Sequence, residues 1–425
     1  MTTGTVTIVG GGIAGLLAAV ELARKGVKVS LFEKASEPGG RARTRNVQGF
    51  LLNQGPHALY RNGAFKRELD RLGIPYSGGR ALAGTRKAVL EGKLYELPVS
   101  TGALVRTRLF GIRDKISFAR LLKEVMGGAT GEGSFSDWLD AQVVSPAVRA
   151  AVEALGRLSS YANGSSSVAA AKMLEQIRIG LGGTLYLDGG WASLVSALAE
   201  AAIKSGARLN YGVIAVGMTT SGGRTKITLS DGREAIADAA ILALGPREAS
   251  TLAPGISSLA VEAREAIPVR ANTLDLALKQ MPVGAHDFAL AIDAPHYFSL
   301  HSGSAQLAPE GGALVHIAKY LPIGDGPRQD AGEELERVAD LVMPGWRNEE
   351  VTRQQLRGMT VSNGLPRADR PRPSVALPDA AGVFIAGDWV GDEGMIADAA
   401  AASAVKAAHS AIEWLSVKES AYSVA

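Results

Sequence analysis

A glycine-rich turn between a short apolar strand and a helix opens this chain and constrains its fold more than any other segment. A second strand follows the helix and ends at an acidic residue, which is the order of a dinucleotide-binding βαβ unit. The five parts, in chain order, are residues 5–9, 10–15, 16–25, 28–32 and Glu33. A helix that begins at such a turn presents free N–H groups and a partial positive charge, and both favour a bound pyrophosphate. The sequence therefore predicts a dinucleotide at the N-terminus of the first helix.

Each glycine of the turn has a physical role. Gly10 permits the tight turn, Gly12 lets the backbone approach the pyrophosphate, and Gly15 lets the helix pack closely on the strand. The carboxylate of Glu33 can accept hydrogen bonds from both ribose hydroxyls, and its charge would repel a 2′-phosphate. The predicted contacts of this unit are Gly10, Gly12, Ile13, Ala14, Gly15, Glu33 and Lys34.

A second glycine pair comes soon after the acidic residue, where a nicotinamide-binding fold does not need one. The pair is Gly39-Gly40, and Arg41 follows it. This run resembles the motif that follows the dinucleotide fold in the FAD-dependent amine oxidase and phytoene desaturase superfamily. The resemblance implies that FAD is the cofactor and that Gly39, Gly40 and Arg41 lie along its phosphate and ribityl portion.

The end of the chain resembles the same superfamily. A short buried strand ends at Gly387 and Asp388, and an alanine-rich helix follows at 397–415. The resemblance implies that Asp388 binds a ribityl hydroxyl. It also implies that the helix N-terminus, with Met395 and Ile396 just before it, points at the flavin pyrimidine ring. A helix N-terminus at that place would stabilise the negative charge of a reduced flavin.

The middle of the chain resembles the segment with which the superfamily's FAD domain resumes after an insertion, and there Val213 is expected to contact the adenine through its backbone. The expected fold class is α/β. A discontinuous Rossmann-like FAD-binding domain with a parallel sheet would carry an α+β substrate domain with an antiparallel sheet and a helical insertion. The predicted FAD-binding domain comprises residues 1–80, 183–265 and 376–425, and the predicted substrate domain comprises 81–182 and 266–375.

Composition limits the remaining possibilities. The chain has no cysteine, so a cysteinyl–flavin bond is excluded and FAD is expected to bind non-covalently. No metal is expected, because the histidines have no acidic or cysteine partner at a ligand spacing. A net charge of +3 over 425 residues does not argue for nucleic acid. With no signal-like leader and no apolar run of bilayer length, a cytoplasmic protein is expected, and peripheral membrane association stays open.

The reaction is indicated by a departure from the amine oxidase pattern. Flavin amine oxidases usually carry a lysine in a strand of the substrate domain, whereas Asn272 occupies that place here and Lys279 lies past the expected end of the strand. Residues 37–42 are closest to the pattern of phytoene desaturases, although Asn53 stands where those enzymes usually have aspartate. The sequence therefore favours hydride transfer between FAD and an apolar substrate of isoprenoid or polyene type.

Two other functions stay open at this point. One is an FAD-dependent amine oxidase that acts on a hydrophobic amine, and the other is a non-catalytic FAD-containing lipid-binding protein. The electron acceptor is expected to be oxygen or a quinone, because no second dinucleotide motif is present. The interleaved apolar and basic residues of 100–126 predict either a helix pair with a solvated basic face or a surface that touches an anionic membrane.

The motifs do not assign catalytic residues, and each candidate has a structural alternative. His57 follows the Gly55-Pro56 turn and could act as a general base or pack as a structural histidine. Tyr297 and His301 lie on one face of an alternating strand, so they could line a pocket together or belong to the core. Trp389 follows the Gly-Asp pair and could wall the pocket or simply pack in the interior.

Overall fold

The structure is a computed structural model that describes residues 4–81, 84–324 and 331–423. The strands are β1 Thr5–Val9, β2 Lys28–Glu33, β3 Thr44–Val47, β4 Phe50–Asn53, β5 Leu59–Tyr60, β6 Gly78–Arg80, β7 Arg86–Leu90, β8 Lys93–Glu96, β9 Thr184–Leu187, β10 Arg208–Tyr211, β11 Ala215–Ser221, β12 Arg224–Leu229, β13 Glu234–Ala237, β14 Ala239–Leu242, β15 Val269–Leu278, β16 Phe288–Ala291, β17 His296–Leu300, β18 Ala313–Tyr320, β19 Glu350–Ser362 and β20 Val383–Ile385. The α-helices are α1 Ile13–Arg24, α2 Ala64–Leu72, α3 Thr101–Arg106, α4 Ile112–Met126, α5 Phe135–Ala141, α6 Pro146–Ser160, α7 Ala170–Leu181, α8 Trp191–Lys204, α9 Pro246–Leu252, α10 Ser257–Glu265, α11 Ala331–Val342 and α12 Ile396–Ser423.

A parallel five-stranded sheet positions the predicted dinucleotide unit. Its strand order is β10-β2-β1-β14-β20, so β1 lies in the middle, with Val6 paired to Val29 on one side and to Ala239 on the other. The chain order changes direction at β1, and ligands of open α/β sheets bind outside the carboxyl ends of the strands at such a point. Gly10 and Gly12 come directly after β1 and therefore stand at this switch point.

Helix α1 lies between the parallel sheet and two other helices. Its sequence is apolar on nearly every side, and Leu16, Leu17 and Val20 are completely buried. Burying each of these side chains contributes roughly 1.5–3 kcal/mol. Helices α8 and α12 pack against α1. The small alanine side chains of α12 let it lie close to α1. The helices that follow the N-terminal and C-terminal motifs therefore pack against each other.

A mixed seven-stranded sheet forms the other half of the molecule, in the order β19-β15-β18-β17-β16-β7-β8. Successive residues of its strands face opposite sides. Phe298 packs with Leu335 of α11 on one side, whereas Phe288 and Tyr297 belong to a core with α4, α6 and α7 on the other. The helical layer on that second side, with Phe118 among its buried residues, forms one wall of the cavity described below.

The expected α/β class, with a parallel sheet and a largely antiparallel one, is confirmed, and several bounds differ. Helix α1 begins at Ile13 rather than at residue 16, and α12 continues to Ser423. Strands β7, β8 and β19 join the second sheet, which the sequence did not predict. Many residues of these strands are partly exposed on both faces. The strands therefore lack the clear alternation of buried apolar and exposed polar residues that identifies a half-buried strand. The domain boundaries stay a prediction. Within the described ranges, no helix is both long and apolar enough to cross a bilayer.

Candidate active site

The three glycines of the first turn are needed for different reasons. A Cβ on Gly10, whose φ is 106°, would lie 2.4 Å from the carbonyl oxygen of Ala243. A Cβ on Gly15 would lie 1.9 Å from the carbonyl oxygen of Gly10, so both positions are closed by the protein itself. A Cβ on Gly12 would meet no atom within 4 Å. The space in front of Gly12, at the N-terminus of α1, is therefore open to a ligand.

The carboxylate of Glu33 is held beside this turn. It is buried, and it accepts hydrogen bonds from the backbone N–H of Gly11 at 2.6 Å and of Ala35 at 2.8 Å. The N–H of Val213 donates to the carbonyl oxygen of Glu33 at 3.0 Å, which brings the returning segment to the same place. Lys34 is exposed. The backbone thus fixes the acidic side chain at the end of β2, where the ribose of a dinucleotide is expected.

The second glycine pair lies directly against the first turn. The N–H of Gly39 donates to the carbonyl oxygen of Gly11 at 2.8 Å, and a Cβ on Gly40 would be 3.7 Å from the Cα of Gly12. Both members of the pair have positive φ, 117° for Gly39 and 55° for Gly40. The two glycine motifs are too far apart in the sequence to form a single turn. The fold nevertheless brings them together, so both border one groove.

Arg41 joins this groove to the C-terminal motif. Its Nη1 donates to Oδ2 of Asp388 at 2.7 Å and to the carbonyl oxygen of Val361 at 2.9 Å. Asp388 is buried, and it also accepts hydrogen bonds from the backbone N–H and the side-chain amide of Asn363, each at 3.1 Å. Gly387 precedes it, two residues after the buried strand β20 ends at Ile385. The predicted cofactor residues of both chain ends are thus brought together.

The start of α12 also reaches this place. Ile396 has a φ of 54°, a conformation that is rare for a β-branched residue and costs roughly 1–3 kcal/mol. Ile396, Ala397 and Asp398 line the cavity, whereas Met395 is buried and does not. Oδ1 of Asp398 accepts a hydrogen bond from the N–H of Phe65 at 2.8 Å, and burial raises the pKa of this carboxyl group to about 7.

A cavity of about 610 Å³ lies between the groove and the seven-stranded sheet. Arg41 and Ile396 line it on the groove side, and aliphatic and aromatic side chains, with a few polar ones, line the rest. None of the described residues that line it is a lysine. Asn272 is buried and accepts a hydrogen bond from the N–H of Gly358 at 2.7 Å, while Lys279 follows the end of β15. The aliphatic lining comprises Leu97, Leu109, Leu122, Leu155, Leu158, Leu290 and Ile292.

Three of the four candidate catalytic side chains line this cavity. The Nδ1–H of His57 donates to the carbonyl oxygen of Gly55 at 2.9 Å, and burial lowers the pKa of its imidazole. Tyr297 and His301 come together, with 3.2 Å between the hydroxyl oxygen and Nε2. The expectation that Trp389 could wall the pocket is corrected. Its indole N–H donates to the carbonyl oxygen of Leu244, which holds the ring in the core of the parallel-sheet half, away from the cavity.

Sequence reasoning missed two further residues of the cavity. Tyr186 stacks on the ring of His301 with 3.7 Å between the ring centroids, and its hydroxyl lies 2.8 Å from Oγ of Ser299. Asp398, in the first turn of α12, is the other. A signal for Tyr186 was its alternation with hydrophobic neighbours in β9. The acidic residue inside the alanine-rich stretch 397–402 was the signal for Asp398.

The model of the family described as flavin containing amine oxidoreductase matches residues 13–273 of the chain, which is more than half of it. The chain belongs to this family. It is therefore a flavin-dependent oxidoreductase, and the superfamily resemblance noted in the sequence is confirmed.

Relatives within this flavin oxidoreductase family have several named activities. The chain is 27% identical to the coproporphyrinogen III oxidase of Propionibacterium freudenreichii, over 80% of this chain and 77% of the relative. It is 23% identical to the 4,4′-diapolycopen-4-al dehydrogenase of Metabacillus indicus, over 80% and 81%. Among solved structures, it resembles an oxidoreductase from Methanosarcina mazei with a TM-score of 0.76 and 19% identity, over 95% of this chain and 99% of that one. Putrescine oxidase bound to putrescine gives a TM-score of 0.74 and 16% identity, over 97% and 99%, and these structures share the fold.

Proposed function

We propose that the protein is an FAD-dependent oxidoreductase of phytoene desaturase-like type. In this proposal it transfers hydride from an apolar substrate of isoprenoid or polyene type to a non-covalently bound FAD. The observation that supports this most is the cavity of about 610 Å³, which has mainly apolar walls and adjoins the dinucleotide groove. Among its described lining residues there is no lysine of the kind that amine oxidases hold near the flavin.

The residues of the groove fit the shape and chemistry of FAD. Gly12 leaves open space at the N-terminus of α1, where the pyrophosphate would lie. Glu33 presents a buried carboxylate for the ribose hydroxyls, and Asp388 presents one for the ribityl chain. No cysteine is available for a covalent link. The contacts assigned by resemblance to Ile13, Ala14 and Met395 belong to the same proposal.

Catalysis would combine flavin redox chemistry with the properties of the cavity. FAD held by the groove would supply two-electron redox chemistry, in which a hydride, one proton with two electrons, leaves the substrate. The aliphatic walls would exclude water and orient the chain of the substrate. His57 would accept the proton that leaves a neighbouring atom of the substrate. Because its Nδ1–H donates to Gly55, the neutral ring keeps an unprotonated Nε2, and burial favours this neutral form by lowering the pKa.

A membrane surface is the proposed source of such a substrate. Helix α4 presents Phe118 and Leu122 to the cavity, yet Ile112 and Ile116 on the same helix are 79% and 67% exposed. Exposed arginines lie beside them, which suits an anionic bilayer. We expect Ile116→Ser to weaken sedimentation with phosphatidylserine vesicles, while Val261→Ser, on a distant exposed site, does not. Equal binding of both variants would remove this part of the proposal.

A tetrapyrrole is the second candidate substrate, because a relative named coproporphyrinogen III oxidase is 27% identical over 80% of this chain. Such a macrocycle is also largely apolar, but it carries carboxylates. Arg41 lies at the cavity, and although it is paired with Asp388 it offers a cation near one of these groups.

Anaerobic mixing of the FAD-loaded protein with three compounds separates these functions. Phytoene in detergent micelles, coproporphyrinogen III and putrescine represent the three substrate classes. We expect phytoene to bleach the oxidised flavin. Bleaching by coproporphyrinogen III alone would move the assignment to the second candidate, and bleaching by putrescine alone would overturn the proposal. If none of the three bleaches the flavin while dithionite does, the isoprenoid assignment is also lost.

A further inference from the structure

Two side chains form a polar corner of the otherwise apolar cavity. The hydroxyl of Tyr297 and Nε2 of His301 are 3.2 Å apart, and Tyr186 covers His301 with its ring at 3.7 Å between centroids. Burial raises the pKa of the Tyr297 hydroxyl well above its usual value, so this group keeps its proton. With the Tyr297 hydroxyl as the donor to Nε2 of His301, the neutral imidazole carries its proton at Nδ1.

A second buried pair lies directly behind this corner. Nδ1 of His316 is 2.7 Å from Oδ1 of Asp275, and both side chains are fully buried. The other oxygen of Asp275 accepts a hydrogen bond from Nε2 of Gln354 at 2.8 Å. A carboxylate held in this way orients His316, whose Nδ1–H donates to Asp275. When this imidazole is neutral, Nε2 is the unprotonated nitrogen.

The two imidazoles carry complementary nitrogen atoms that have no partner. Nδ1 of His301 and Nε2 of His316 are buried and make no hydrogen bond among the described residues. The ring centroids are 4.2 Å apart. By the protonation states above, the first nitrogen is a donor and the second is an acceptor. A buried donor or acceptor without a partner is costly, so a hydrogen bond between these two nitrogens would be favourable.

Burial also keeps His301 uncharged. The pKa of its imidazole is lowered well below the usual value, first by burial and then by the nearby imidazoles of His316 and His57. Three of the six histidines of the chain are therefore gathered at one side of the cavity. A neutral imidazole between a hydroxyl and a second imidazole can receive a proton at one nitrogen while it releases one from the other.

We propose that Tyr297, His301 and His316 form a proton relay that leads from the cavity to the buried carboxylate of Asp275. The proposal rests on the oxidation proposed above, in which the flavin of this family takes the hydride and the substrate also releases a proton. The relay is an acceptor for that proton in addition to His57.

Three coupled transfers move one proton along the relay. The hydroxyl oxygen of Tyr297 takes the proton of the substrate while its own proton moves to Nε2 of His301. The Nδ1 proton of His301 moves to Nε2 of His316. Tyr297 and His301 end neutral, His301 has changed tautomer, and His316 has become an imidazolium beside the carboxylate of Asp275. The last transfer requires the two unpaired nitrogens, on rings whose centroids are 4.2 Å apart, to come within hydrogen-bonding distance.

Heteronuclear NMR of the FAD-loaded protein, with histidine labelled at its ring nitrogens, tests the alignment without any substrate. Six histidines give few enough signals to assign by single substitution. We expect His301 to show one neutral tautomer, protonated at Nδ1, and His316 to be protonated at Nδ1. Tyr297→Phe should remove the single-tautomer signature of His301. A His301 that is protonated at Nε2, or charged at neutral pH, would overturn the relay.

A matched control comes from the same strand. His296 faces the opposite side of β17, where its Nε2 lies 2.8 Å from Glu334. His296→Gln should leave the signals of His301 and His316 unchanged, and a change as large as that of Tyr297→Phe would show a general structural response and count against the relay. The tautomers are read without substrate, so failure of the relay is distinguishable from failure of phytoene to bleach the flavin.

Discussion

The groove at the end of β1 is built from backbone atoms, whereas the cavity beside it is built from side chains. In the groove, Gly12, Gly39 and Gly40 bring main chain together, and the buried carboxylate of Glu33 is held by two backbone N–H groups. In the cavity, His57 and Tyr297 come from strands and loops more than two hundred residues apart. The backbone geometry of the groove is set locally by short runs that contain glycine. The wall of the cavity consists of side chains that only the entire fold brings together.

Because of this difference, substitutions should have different effects in the groove and in the cavity. A glycine of the groove can be essential to the protein alone, to the cofactor alone, or to both. A residue of the cavity can be replaced with little effect on the fold but a large effect on the substrate. The predictions below use this contrast.

The largest effect is expected from a methyl group on Gly15. Gly15→Ala would place a Cβ 1.9 Å from the carbonyl oxygen of Gly10, so the free energy of unfolding should fall by about 3 kcal/mol or more. Gly12→Ala should unfold at nearly the wild-type temperature without FAD, because its Cβ meets no protein atom. It should nevertheless bind FAD more weakly. Thermal unfolding and FAD titration of both variants check this, and a Gly12→Ala protein with unchanged affinity would show that the pyrophosphate lies elsewhere.

Removal of the Asp388 carboxylate should have the next largest effect. A charge-assisted hydrogen bond to the ribityl chain contributes about 1.5–3 kcal/mol, so Asp388→Ala should raise the dissociation constant of FAD about 10- to 150-fold. The fold should persist, although Arg41 and Asn363 lose a partner. Titration of FAD into both apo proteins decides the matter. Equal dissociation constants, with lower thermal stability whether or not FAD is present, would make Asp388 a structural residue only.

Much of the groove could be predicted from the sequence, because each of its parts is local. The strand Thr5–Val9 and the Gly-Asp ending were recognisable as short motifs with fixed neighbours. The pairing of Asp388 with Arg41 was not, since it joins residues 347 positions apart. The cavity was less predictable still. Nothing in the sequence indicated that Asp275 would meet His316, because strand pairing of β15 with β18 sets that contact.

Asp398, which lines the cavity, should have a smaller, pH-dependent effect on the free energy of unfolding. The folded protein keeps this carboxyl group protonated up to about pH 7, whereas the unfolded chain releases the proton near pH 4. Wild-type stability should therefore fall as the pH rises between these values. Asp398→Asn cannot ionise and still accepts the hydrogen bond from Phe65. Its stability relative to wild type should improve by about 1–3 kcal/mol between about pH 5 and about pH 8, as measured by denaturant unfolding. A difference that does not change with pH would contradict the raised pKa.

The central claim is that the substrate is oxidised in the apolar cavity. Its most direct test is the rate at which phytoene reduces the flavin, under anaerobic conditions, in a pair of variants. Leu158→Asp places a charge in the cavity wall, and Ile203→Asp places the same charge on a half-exposed site of α8. Both proteins should retain FAD, because neither residue belongs to the groove. We predict that Leu158→Asp slows reduction about tenfold or more, since an apolar chain cannot pair with the charge, while Ile203→Asp keeps the wild-type rate. Equal rates in Leu158→Asp and wild type would contradict the account.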